Sequence, residues 1–169
     1  TTMDAHVLVG AFPMPAGSKL VQAFDNLYVA EWGTDAEKRA LGNPAFLPRP
    51  WDPGAIADPQ LRFETWEWLD DVVTWFNHDF VWNLNAGYLP PCWPEHPHLV
   101  HEIAVLADQR RRAGIALTSD LLEDWHRYAV PLFLDRMKTR VHDACDTTHT
   151  EWPGRSKYAR HRAADEQRL

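Results

Sequence analysis

Three observations predict a small, mainly α-helical fold. Apolar residues recur at three- and four-residue spacing in three long segments, each segment opens on a cap or proline signal, and nine tryptophans load the chain with aromatic bulk. Principal helices are expected at about 58–82, 97–113 and 118–143, with a helical or extended N-terminal segment beside them.

Residues 6–12 form a short apolar run that reads as an edge strand or an extended arm. Ser18 can cap a helix in which Val21, Phe24, Tyr28 and Trp32 recur at helical spacing, with Gly33 as its stop. Thr34 and Glu37 make a capping box for a second, short helix ending at Gly42. Pro44, Pro48, Pro50 and Pro53 then turn 43–57 into a proline-rich connection over the surface, with Phe46, Trp51 and Ile56 as anchors.

Asp58 followed by Pro59 opens the aromatic helix. Leu61, Trp68, Val72, Trp75 and Trp82 form one stripe along it, and Trp66, Leu69, Val73, Phe76 and Phe80 a second. Apolar character therefore covers more than half its circumference, which marks it as central or as half of an interface. Pro97 opens the next helix, with Leu99, Ile103 and Leu106 inward and Gly114 as its stop, just after Arg110, Arg111 and Arg112, where the helix dipole favours cations. Thr118 or Ser119 caps the third, which carries Leu121, Leu122, Trp125, Tyr128, Ala129, Leu132, Phe133, Met137 and Val141. Pro131 removes a backbone hydrogen bond inside it and predicts a kink near 127–131. Trp125, Leu132, Leu99 and Ile103 are the expected structural core. The chain thus divides into an N-terminal segment packed on the core (1–42), the connection (43–57), a helical core domain (58–146) and a basic peripheral tail (147–169).

Composition narrows the function. With 45% apolar and 24% charged residues the chain has the balance of a folded protein. Cys92 and Cys145 lie far apart in a sequence with no secretory leader and no membrane-length apolar run, so a reducing cytoplasm is the expected setting. A formal charge of −7 opposes nonspecific binding to nucleic acid or to an anionic membrane. Arg155, Lys157, Arg160 and Arg162 in the tail run against that average and would be the phosphate contacts of a nucleic-acid-associated factor.

Catalytic signatures are missing. The chain has no Gly-x-Ser-x-Gly elbow, no Walker A loop and no dinucleotide fingerprint, and Cys92 reads as a packing residue with no sequence-evident base. His98, His101 and Glu102 sit one helical turn apart and would be the ligands of a metal-dependent enzyme, with Cys92 or His96 adding a donor from the loop. That spacing lacks the HExxH arrangement, so these are read as solvated polar residues, with no metal or cofactor expected.

Three blocks carry a resemblance: Trp66-Glu67-Trp68-Leu69 with Trp75-Phe76, then Cys92-Trp93-Pro94-Glu95-His96-Pro97 leading into Leu99-Val100-His101-Glu102, then Trp125-His126-Arg127-Tyr128-Ala129-Val130-Pro131-Leu132. Across about residues 63–134 the chain resembles a family of small Trp-rich helical proteins, uncharacterised in function, of actinobacteria and their phages, plasmids and integrative elements. The resemblance rests on Trp93, His96, Pro97, Trp125 and Pro131 and implies an accessory protein of a mobile element. Together with the surplus of aromatic residues, it leads to the expectation of a non-enzymatic helical adaptor that works by protein–protein contact or homo-oligomerisation, away from membranes. Trp93, His96, Pro97, Trp68 and Trp75 are its expected partner surface.

Overall fold

The computed structural model describes residues 9–81, 87–140, Cys145 and His149. Its helices are α1 (Ser18–Trp32), α2 (Asp35–Leu41), α3 (Pro59–Asp79), α4 (Pro97–Ile115), α5 (Asp120–Asp124) and α6 (Val130–Arg140), with short 3-10 turns at Pro44–Phe46, Pro53–Ala55 and Trp93–Glu95. Among the described residues there is no strand, and residues 9–12 belong to an irregular arm. Positions 6–8 and Trp82, and the tail cations Arg155, Lys157, Arg160 and Arg162, lie outside the described residues.

Helix α3 is the hub, with α1 and α4 packed on it, and α4 in turn carries α5 and α6. Its start follows from local chemistry: Asp58 Oδ2 accepts the Leu61 N–H at 2.9 Å, and Pro59 occupies a position whose N–H would have had no partner. Leu61, Thr65, Trp68, Leu69, Val72, Val73 and Phe76 are buried at steps of three and four. Each large apolar side chain placed there stabilises the fold by about 1.5–3 kcal/mol relative to exposure.

The cap of α1 is not local. Gly17, rather than Ser18, is the N-cap residue, and it makes no side-chain cap. Instead the Glu64 carboxylate of α3 accepts the N–H groups of Lys19 and Leu20 at 3.0 and 3.1 Å. A Cβ on Gly17 would lie 2.6 Å from Glu64 Cδ, so any larger residue there would have to displace the capping carboxylate. Helix α2 has the expected reciprocal capping box between Thr34 and Glu37. Helix α4 runs one residue past Gly114, to Ile115, and keeps Leu99 and Ile103 in the core.

Trp125–Ala129 forms a turn of π-helix between α5 and α6, in which the Val130 N–H donates to Trp125 O, five residues back. The disturbance falls beside Pro131, which has no N–H to donate and crowds the carbonyl four residues before it. One extra residue in the turn shifts the buried stripe, so the inward positions after Trp125 are Val130, Phe133 and Met137. Leu132 is correspondingly turned outward and 54% exposed, which corrects its assignment to the core. Leu121 and Tyr128 are also exposed, at 46% and 54%.

Candidate functional site

Several residues expected on a partner surface are interior. Trp68 and Trp93 are 3% and 1% exposed, and His96 is buried as well. Trp75 is half-buried, and Pro97 is exposed at the start of α4. Trp93 stacks on Trp66 with ring centroids 5.4 Å apart, and Trp68 meets Phe24 edge-on at 5.6 Å. The aromatic excess is thus largely absorbed inside the chain, because Trp93 faces α3 and Trp68 faces α1. Arg110 and Arg111, read from sequence as cations favoured by the helix dipole, also meet aromatic rings: their guanidinium groups lie 5.0 Å from the Phe12 ring centroid and 3.9 Å from that of Phe24.

Anchoring of Trp93 fixes the chain around it. Glu95 N–H donates to Cys92 O at 2.9 Å and His96 N–H to Trp93 O at 3.1 Å, closing a 3-10 turn that places Cys92 and His96 on one side. His96 Nε2 is then 3.4 Å from Cys92 Sγ and 3.3 Å from Cys145 Sγ. The His149 ring lies 4.8 Å from that of His96, centroid to centroid. The donor atoms of Cys92, His96, Cys145 and His149 all fall within 4.8 Å of one another. His149 Nδ1 is buried with no hydrogen-bond partner, and Glu95 Oε2 is 3.7 Å from it.

Two members of the cluster are shifted toward their neutral forms. Burial, reinforced by the neighbouring Cys145 thiol, pushes the Cys92 thiol up to about 11. Burial, then the nearby His149 and His98, holds His96 below the ordinary imidazole value. Two thiols and two imidazoles are a donor set for a borderline-soft cation of tetrahedral preference.

Sequence reasoning placed Cys92 and His96 near a metal-capable cluster but chose the wrong companions. His98, His101 and Glu102 do not form the converging group; Glu102 instead takes an ion pair with Arg136 of α6. Cys145 was unassigned, and His149 was placed in a peripheral tail although it lies against His96. The overlooked signal was a repeat: Cys-x-x-x-His occurs at 92–96 and again at 145–149.

On another face, a cavity of about 710 Å³ opens between α4 and residues 120–140. Val105, Leu106, Leu121, Tyr128, Leu132 and Phe133 supply much of its wall. The ion-paired Glu102 and Arg136 line it too, as do Arg112 and Asp124. Among the described residues no helix is long and apolar enough to cross a membrane. Comparison with protein-family models, with curated proteins and with solved structures gives no match.

Proposed function

We propose that the chain is a non-enzymatic helical adaptor acting by protein contact, and that the groove between α4 and α6 is its contact surface, taken first by a second copy of the chain. The observation that carries this reading is the outward stripe Leu121, Tyr128 and Leu132, 46–54% exposed at helical spacing, facing Val105 at 43% across an open groove. The stripe forms one wall of the groove, and the same apolar lining on a second copy can cover it about a two-fold axis. The charged lining balances two acids, Glu102 and Asp124, with two bases, Arg112 and Arg136, so pairing brings no net like charge together. The resemblance to small Trp-rich helical proteins of mobile elements supports an accessory role of this kind. Trp75 and Pro97 lie outside the groove lining, and the contact is assigned to the groove instead.

Light scattering across a concentration series tests the proposal. Dimer formation is expected in the wild type, and Leu132→Glu should abolish it while leaving helix content unchanged, and Tm unchanged at dilutions where the wild type is monomeric, because the side chain it replaces is outside the core. A wild-type chain that stays monomeric at high concentration would overturn the homotypic contact.

A further inference from the structure

We propose that Cys92, His96, Cys145 and His149 bind one Zn²⁺ ion in a closed tetrahedral site that fastens Cys145 and His149 to the start of α4. Distance is the first argument. With Zn–S of about 2.3 Å and Zn–N of about 2.0–2.1 Å, the sulfur–nitrogen edge of a tetrahedron is about 3.6 Å and the sulfur–sulfur edge about 3.8 Å. The two sulfurs stand 3.4 and 3.3 Å from the same His96 Nε2, and every donor pair lies within 4.8 Å. Small rotations of these side chains suffice to surround an ion.

The second argument is the repeat. Two Cys-x-x-x-His units, 92–96 and 145–149, contribute one thiol and one imidazole each, so the two segments enter the site as equivalent halves. The third is burial: Cys145 and His96 are each 7% exposed, and His149 keeps a buried ring nitrogen without a hydrogen-bond partner. Buried polar atoms are normally satisfied, so an unpartnered nitrogen beside two thiols points to an occupant.

Donor chemistry selects the ion. Sulfur and imidazole nitrogen disfavour Mg²⁺ and Ca²⁺, which take oxygen ligands, and a tetrahedral set of two sulfurs and two nitrogens suits Zn²⁺. Both thiols deprotonate on binding, so two protons leave, and the two thiolate charges cancel that of the ion. Four protein ligands leave no coordination position for water or substrate, which makes the site structural rather than catalytic. Glu95 Oε2, 3.7 Å from His149 Nδ1, is beyond hydrogen-bond distance and leaves that nitrogen available to the ion.

Reduced full-length protein, stripped with a chelator and titrated with Co²⁺, tests the site directly. Saturation is expected at one ion per chain, with the visible absorption of tetrahedral cobalt and a near-ultraviolet thiolate charge-transfer band, both erased by one equivalent of Zn²⁺. Cys145→Ser should weaken the charge-transfer band and lower affinity by more than a hundredfold, beyond the roughly 10–100-fold loss typical of an outer-shell residue. Cobalt that remains octahedral in the wild type, or a spectrum unchanged in Cys145→Ser, overturns the proposal, and the wild-type measurement does not depend on any variant folding.

Discussion

Truncating Trp125 to alanine should remove the aromatic centre between α3, α4 and α6. The residue is 3% exposed, with Phe80 edge-on at 5.5 Å and Trp75 at 6.2 Å between centroids. Its indole N–H donates to Leu106 O at 3.0 Å. Aromatic-to-alanine changes in a packed core cost about 3–5 kcal/mol. For a chain of this length each kcal/mol moves Tm by about 2–4 °C, so the midpoint should fall by about 6–20 °C. Trp125→Phe retains most of the apolar body but loses the donor, and should cost about 1–3 kcal/mol. As a control, Trp32→Ala, at a position 69% exposed, should change stability by no more than about 0.5 kcal/mol. Thermal unfolding followed by far-ultraviolet circular dichroism reads all three. An unchanged midpoint for Trp125→Ala would refute the packing argument, since nothing could then refill so large a volume without cost.

Two other perturbations are local. Gly87 has φ of 129°, and a Cβ there would lie 2.5 Å from Leu134 Cδ2, so Gly87→Ala combines backbone strain with a clash and should destabilise by about 1–3 kcal/mol in urea unfolding. Asp58 is held below the ordinary carboxylate value by its hydrogen bond with Lys19 and then by the Leu61 N–H. Its ionised form therefore favours the folded state above the unfolded value of about 3.9, and this contribution is lost as pH falls through the lower folded value. Asn keeps the cap acceptor without the charge, so Asp58→Asn should flatten the acid side of a Tm-against-pH curve; a curve parallel to that of the wild type would contradict this.

The features legible in sequence are those decided by neighbours in the chain. Asp58 capping α3, the Thr34–Glu37 box and the inward spacing of Leu99 and Ile103 each depend on residues within one or two helical turns. Other features depend on partners far along the chain. Glu64 caps α1 from 45 residues away, and no local pattern announces it. The outward turn of Leu132 follows from a one-residue change of phase: a regular 3.6-residue period extrapolated across Pro131 carries the wrong side chain inward. The four-donor cluster spans 49 residues between its halves. Its repeated spacing is visible in the sequence, but only folding shows that the two halves meet.

Tryptophan content has a physical explanation that does not require a partner to cover it. Residues 9–17, the described part of the arm before α1, have no regular structure, so their backbone groups need acceptors and donors from elsewhere. Trp68 Nε1 donates to Pro13 O at 2.8 Å and Trp75 Nε1 to Gly10 O at 2.9 Å, while the Gly10 N–H donates to Asp79 Oδ2 at 2.7 Å. Phe12 sits edge-on to Trp75 at 5.2 Å, with Arg110 over its ring. Tryptophan suits this position because it is the one large apolar side chain that also carries a ring N–H donor for a carbonyl of an irregular segment. Trp75→Phe keeps much of the contact with Phe12 and deletes the donor, removing a net hydrogen-bond contribution of about 0.5–1.5 kcal/mol. Amide exchange in the arm should therefore speed up by about two- to tenfold while the helices keep their protection. Equal exchange in wild type and variant would show that Phe12 packing, rather than the indole bond, holds the arm on α3.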